Sequence, residues 1–211
     1  MKTHDLIELL AQDAPPRKDF GAVFATAVAL AVIAAGAVFF AGIGFRPDIA
    51  QAAETVRFLF KFVVTVSLAV SATVAVLRLS RPGVAMGGWS VALAAVPVLL
   101  GGAVVAELFA VPRDGWMTQL VGQNMRFCLT LIPLMAIGPL ACLIVALRRG
   151  APARPGLAGA LAGLAAGGIA ATFYASNCTD DSPLFVAAWY PLAILAVTAV
   201  GFISGRLFLR W

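Results

Sequence analysis

The sequence has few charged residues and almost no histidine. Charged side chains make up 12% of the 211 residues, and His4 is the single histidine. Soluble domains carry about a quarter charged residues, which argues against a water-soluble fold. No zinc-ligand spacing, phosphate-binding loop or nucleophile elbow is present. The sequence therefore predicts a protein that is not an enzyme and holds no cofactor or resident metal.

Long runs of apolar residues make up most of the sequence. Hydrophobic residues make up 62% of the chain and the mean hydropathy is +0.97. A helix needs about 20 mostly apolar residues to cross the hydrocarbon core of a bilayer, and the alternating strands of a membrane barrel are absent. The sequence predicts an all-α membrane protein, a bundle of six transmembrane helices at residues 21–45, 58–77, 89–111, 127–147, 157–176 and 184–207. It divides the chain into an N-terminal tail, residues 1–19, and a transmembrane domain, residues 20–211.

The distribution of lysine and arginine predicts the orientation of this bundle. Ten of the fifteen basic residues lie on the side of the two termini, and five lie on the other side. Cytoplasmic loops carry the excess of such residues, so both termini are expected in the cytoplasm. The net charge of +5 then reflects topology in a lipid bilayer, and no direct nucleic-acid partner is expected. Lys61 and Glu107 fall near the outer ends of predicted spans, where their charged groups are expected to reach the interface.

The N-terminal tail has the pattern of one short amphipathic helix, which Pro15 and Pro16 end. A helix this short is marginal alone in water, so its apolar stripe must pack on a protein partner, on the chain's own cytoplasmic loops or on the membrane surface. Membrane-surface helices favour basic polar faces, whereas this face is acidic, which favours a protein partner with a basic groove. The predicted partner-binding residues are Asp5, Leu6, Ile7, Leu9, Leu10 and Asp13.

Small residues recur at helical spacing in the fifth predicted span. Gly159, Gly163 and Gly167 lie four residues apart, and small residues let helix backbones approach closely in membranes. The stripe predicts a close helix contact inside one bundle. An interface between two copies of the chain is the alternative, so a homo-oligomer stays open.

Two of the three cysteines share a predicted depth. Cys128 begins the fourth span at its outer end, and Cys178 lies in the outer connection between spans five and six. Cys142 lies about 21 Å deeper than Cys128, at 1.5 Å per residue, and cannot pair with either. The outer two could form a disulfide or redox-active pair, contribute with Asp180 and Asp181 to a site for a soft metal ion, or remain unpaired. The residues alone leave these alternatives open.

Several short motifs together resemble one protein family. They are MKTHDLI and LAQD near the N-terminus, RPD after the first span, RRGAP after the fourth, and CTDDSP followed by FVA and WY. Their order and their spread over nearly the whole chain resemble the NrsF family of bacterial membrane anti-sigma factors.

The resemblance implies six spans in the bacterial inner membrane and the sequestration of an extracytoplasmic-function sigma factor. It also implies that Cys128 and Cys178 sense oxidant or heavy-metal stress. The alternative function is a small transporter or channel with a regulatory cytoplasmic tail. Ionisable residues near the bilayer midplane would favour that alternative, and the predicted spans have none there.

Overall fold

A computed structural model describes residues 19–81 and 87–209 of the chain. The predicted partner-binding residues of the tail therefore lie outside the described residues. They are Asp5, Leu6, Ile7, Leu9, Leu10 and Asp13.

Six long helices build the described part of the molecule. They are α1 (Phe20–Gly42), α2 (Val56–Leu79), α3 (Trp89–Ala110), α4 (Met125–Leu147), α5 (Pro155–Ala175) and α6 (Pro183–Phe208). Each belongs to a helical segment long and apolar enough to cross a membrane, and no strand occurs within the described ranges. The predicted all-α fold and its six spans are confirmed, and every predicted span ends within three residues of the observed helix ends.

Local sequence signals explain where several of these helices begin. The side chains of Asp19, Thr55 and Ser182 accept hydrogen bonds from backbone N–H groups in the first turns of α1, α2 and α6. Such capping satisfies donors that have no partner inside the helix. Proline occupies the first position of α5 and of α6, where its missing N–H costs nothing.

Three connections lie at one end of the bundle, which we call the outer face. They are residues 43–55, 111–124 and 176–182, and they contain the short helices Ile49–Ala52 and Trp116–Val121. The second short helix ends at Gly122, whose φ is 58°. A Cβ there would lie 2.5 Å from the ring of Phe185, so glycine is required both for the backbone conformation and for the space.

Helix α5 lies at the centre of the bundle and packs against α1, α2, α4 and α6. Its glycine stripe faces α6 of the same chain. Gly159 lies against the backbone of Gly201 and Gly205, and a Cβ on Gly163 would lie 2.6 Å from the carbonyl oxygen of Val197. Gly167 faces the side chain of Ile194. The two main chains therefore approach closely because neither helix carries bulk there.

Candidate functional site at the outer face

The connection between α5 and α6, residues 176–182, is folded into the outer face of the bundle. The backbone N–H of Cys178 donates to the carbonyl oxygen of Tyr174 at 3.0 Å as α5 ends. The side-chain amide of Asn177 donates to the carbonyl oxygen of Gly44 at 3.0 Å. Cys178 itself is fully buried, so this connection, which we call the α5–α6 loop, is part of the core.

Lys61 of α2 binds the α5–α6 loop from the bundle interior. Its Nζ lies 2.6 Å from Oδ1 of Asp181 and donates to the carbonyl oxygen of Cys178 at 2.8 Å. Lys61 is 0% exposed, so its charge at the outer end of α2 is paired inside the protein. A buried ammonium group is tolerated only with a partner, and the loop supplies a carboxylate and backbone carbonyls.

Arg46, from the connection between α1 and α2, binds the same carboxylate. Its Nε and Nη2 donate to the two carboxylate oxygens of Asp48 at 2.7 and 2.8 Å, and its Nη1 lies 2.9 Å from Oδ2 of Asp181. The hydrogen bonds with Asp48 raise the pKa of the Arg46 guanidinium, and the same contact lowers the pKa of the Asp48 carboxyl. Two cations thus share Asp181, and we call Arg46, Asp48, Lys61 and Asp181 the outer ion cluster.

Asp180 ties the loop to the beginning of α4. Its Oδ2 accepts hydrogen bonds from the backbone N–H groups of Gln123 and Asn124 at 3.0 and 2.8 Å. The side-chain amide of Asn124 donates to the same oxygen at 3.0 Å and to the hydroxyl of Thr179 at 2.8 Å. Cys128 lies one turn further along, with its N–H donating to the carbonyl oxygen of Asn124. The segment that carries Cys178 is therefore fixed to the segment that carries Cys128.

Glu107 of α3 also contacts the α5–α6 loop. Its Oε1 accepts a hydrogen bond from the hydroxyl of Ser182 at 3.2 Å and lies 3.0 Å from Nη2 of Arg57. Glu107 is buried, so its carboxylate at the outer end of α3 is also paired inside the protein. The α5–α6 loop consequently contacts α2, α3, the beginning of α4 and the connection after α1.

The two outer cysteines lie in one buried cluster, together with Tyr174 and Tyr190. Both Cys128 and Cys178 are 0% exposed. Cys142 packs against a separate group of residues. All three cysteines are free thiols, and the disulfide stays a prediction.

Burial also sets the reactivity of Cys178. It raises the pKa of this thiol, and the nearby Lys61 ammonium opposes part of that shift. The thiolate is the nucleophile and the metal ligand, so a buried, protonated thiol reacts slowly. Reaction at Cys178 is expected to require movement of the α5–α6 loop.

Two tyrosines place further polar groups beside the thiols. The ring centroids of Tyr174 and Tyr190 are 6.0 Å apart, and each hydroxyl is buried without a hydrogen bond of good geometry within the described residues. The thiol of Cys178 interacts with both. We call Cys128, Tyr174, Cys178 and Tyr190 the thiol–phenol cluster.

Sequence reasoning missed the outer ion cluster and both tyrosines. The sequence places Lys61 near the outer end of its span and makes Asp181 a possible ligand of a soft metal ion, and it predicts no ion pair between them. No group of three His, Cys, Asp or Glu residues arranged to hold a metal occurs among the described residues. The available signal was the pair Asp180–Asp181 directly after Cys178, because two adjacent carboxylates near a membrane surface need cationic partners once they are buried.

Comparison of the chain with known proteins identifies its family. The family model for NrsF, "Negative regulator of sigma F", matches residues 10–211. Anti-sigma-F factor NrsF of Caulobacter vibrioides is 35% identical over 223 aligned residues, with all of both chains covered. Probable anti-sigma-F factor NrsF of Azospira oryzae is 35% identical over 214, again with full coverage of both. No solved structure matches the chain. The chain thus belongs to the NrsF family of negative regulators of sigma F.

Proposed function

We propose that this protein is an anti-sigma factor embedded in the bacterial inner membrane, which sequesters an extracytoplasmic-function sigma factor. The observation that carries the proposal is the full-length similarity to two proteins named as anti-sigma-F factors. The six helices long and apolar enough to cross a membrane support the membrane location.

The proposed binding element for the sigma factor is the N-terminal tail on the cytoplasmic side. Four apolar side chains, those of Leu6, Ile7, Leu9 and Leu10, would enter a groove on the partner. Asp5 and Asp13 would face basic residues beside that groove. Burying four such side chains gives a gross gain of roughly 6–12 kcal/mol, of which ordering the tail consumes several. The tail as an isolated peptide is therefore expected to bind only weakly.

The proposed sensor is the thiol–phenol cluster under the α5–α6 loop. Oxidation of Cys128 and Cys178 to a disulfide, or capture of both thiols by a soft metal ion, would change the volume and charge beneath this loop. The loop is tied to four other segments, so its displacement would alter how the helices pack. Release of the sigma factor then requires a second arrangement of the bundle that the modified cluster favours.

Capture of a tagged sigma factor from membranes tests the anti-sigma function. The extracytoplasmic-function sigma factor encoded in the same genome is incubated with membranes that contain the intact chain. The double variant Leu6→Asp/Leu10→Asp is expected to lose capture at unchanged membrane levels. The matched control His4→Asp/Gln12→Asp places two aspartates on the opposite face of the predicted helix and should retain capture.

Two outcomes of this capture experiment would contradict the proposal at different points. Capture by the Leu6→Asp/Leu10→Asp variant would show that the tail is not the binding element. Absence of capture by the intact chain would contradict the anti-sigma function itself.

A further inference from the structure

The thiol–phenol cluster contains two buried hydroxyl groups, one from α5 and one from α6. Tyr174 is 0% exposed and Tyr190 is 2% exposed, and neither hydroxyl makes a hydrogen bond of good geometry in the described part of the chain. Buried hydroxyl groups in native proteins almost always have a partner, because an unpaired one loses its hydration without compensation. The two phenol groups therefore need an acceptor that another state of the cluster would supply.

The sulfur of Cys178 lies beside both hydroxyl groups and is the candidate acceptor. In the free thiol this sulfur accepts hydrogen bonds only weakly, and its S–H donates to the carbonyl oxygen of Asp180 at 3.8 Å. A sulfur that has exchanged its proton for a metal ion carries negative charge, and hydrogen bonds to charged groups are about twice as strong as neutral ones. Metal capture would thus make Cys178 the acceptor that both phenol groups need.

The fold holds the two tyrosine rings in place on either side of the α5–α6 loop. Tyr174 lies in the last turn of α5, and its carbonyl oxygen accepts a hydrogen bond from the N–H of Cys178 at 3.0 Å. Tyr190 belongs to α6, and its ring centroid is 6.0 Å from that of Tyr174 and 6.5 Å from that of Phe185. These contacts position both donors before any ion is bound, as is typical of residues that support a binding site.

We propose that Tyr174 and Tyr190 are positioning residues of the sensor, whose hydroxyl groups donate hydrogen bonds to the Cys178 sulfur once it binds a soft metal ion. This inference rests on the proposed capture of the ion by Cys128 and Cys178. Each metal–sulfur bond that forms displaces one thiol proton to water, and no electron is transferred. Hydrogen bonds to metal ligands orient them and raise the affinity for the ion. Here they favour the metal-bound state in particular, because the free thiol is a weak acceptor.

Titration of the purified full-length protein in detergent with Cd²⁺ tests this inference. The parent protein and all variants carry Cys142→Ser, so that only the outer thiols respond. Cd²⁺ is the probe because its charge balances that of two thiolates in a buried site. The parent is expected to bind Cd²⁺ more tightly than the Cys178→Ser variant does. Tyr174→Phe and Tyr190→Phe should each weaken binding about tenfold, the lower end of the range for hydrogen-bond partners of a metal ligand.

Thermal unfolding without Cd²⁺ separates this role from a structural one. Each Phe variant removes a hydroxyl group that has no good partner among the described residues, so its unfolding midpoint should equal or exceed that of the parent. The matched control is Thr198→Val, which removes from α6 a hydroxyl group that donates to the carbonyl oxygen of Ile194 at 2.8 Å. Thr198 lies about 12 Å along the helix from Tyr190, so the control should bind Cd²⁺ as tightly as the parent.

The outcomes distinguish the role of the tyrosines from the thiol sensor itself. Unchanged Cd²⁺ affinity in the Phe variants, with weaker binding by Cys178→Ser, would overturn the role of the tyrosines and leave the thiol sensor in place. Lower unfolding midpoints of the Phe variants without Cd²⁺ would also overturn it, because the hydroxyl groups would then stabilise the metal-free fold. Equal binding by the parent and Cys178→Ser would contradict capture of the ion by the thiols. Either Phe variant alone decides if the other does not fold.

Discussion

At the outer face, the buried ion pair between Lys61 and Asp181 is the contact with the largest expected effect on the α5–α6 loop. The Lys61 ammonium group is fully buried and lies 2.6 Å from Asp181, which also lies within ion-pair distance of Arg46. A buried pair contributes little net stability, but removal of one partner leaves an uncompensated charge and costs about 3–5 kcal/mol. Asp181 is therefore expected to hold the α5–α6 loop closed over the thiol of Cys178.

The variant Asp181→Asn tests this role of the carboxylate. It should destabilise the loop, so that a membrane-impermeant maleimide labels Cys178 at least several times faster than in the unaltered protein. The measurement is the labelling rate of Cys178 in intact cells. The variant Asp114→Asn changes an exposed carboxylate at the same face and should label at the original slow rate.

A double variant in the same labelling experiment separates the effect of the unpaired charge from the effect of changed packing. Lys61→Met combined with Asp181→Asn removes both charges of this pair, so no buried ammonium group is left without its carboxylate. The double variant should therefore label more slowly than Asp181→Asn alone. Equal labelling of Asp181→Asn and the unaltered protein would show that the carboxylate does not hold the loop.

The depth of these residues is predictable from the sequence, but their partners are not. Lys61 and Cys178 were both predicted near the outer ends of spans, and both lie at the outer face. Their contact joins residues 117 positions apart, and which helices are neighbours depends on packing that six apolar runs of similar composition do not reveal. The sequence therefore predicts that Lys61 lies near the outer end of its span, but not that the α5–α6 loop binds its ammonium group.

At the scale of elements, the packing of α5 on α6 depends on the absence of side chains. A Cβ on Gly163 would lie 2.6 Å from a backbone oxygen and 2.8 Å from the Cα of Thr198, so α6 would have to move. The length and apolar character of α5 were predictable from its sequence. Its central position was not, although the smallest residues of the chain gather there because four neighbours approach it.

The variant Gly163→Leu is expected to separate α5 from α6 and to lower the midpoint of thermal unfolding in detergent. Overpacking of a close contact costs about 1–3 kcal/mol or more. The matched control is Gly102→Leu on the lipid side of α3, where a Cβ would meet nothing within 4 Å. Its midpoint should equal or exceed that of the unaltered protein. Similar losses in both variants would mean that glycine matters there for helix flexibility rather than for contact with α6.

At the scale of the whole molecule, the distribution of basic residues predicts which face is outside. Reporter fusions after Arg154 and after Trp211 should be cytoplasmic, and fusions after Glu54 and after Asp114 should be periplasmic. The measurement is the ratio of phosphatase to fluorescent-protein activity at each fusion point. A periplasmic reporter after Trp211 would contradict the orientation and would place the thiol–phenol cluster on the wrong side for an external signal.

We propose that the bundle holds a sigma factor at the membrane until the outer thiols react. Cell fractionation before and after exposure to Cd²⁺ measures this directly, as the share of the sigma factor that sediments with membranes. Cadmium is a soft ion that thiolates bind well. In cells with the unaltered chain or with Cys142→Ser, the sigma factor should sediment with membranes before exposure and become soluble afterwards. In cells with Cys178→Ser, Cd²⁺ should not change its distribution. A sigma factor that is soluble before exposure, or that Cd²⁺ releases equally from Cys178→Ser, would contradict the account.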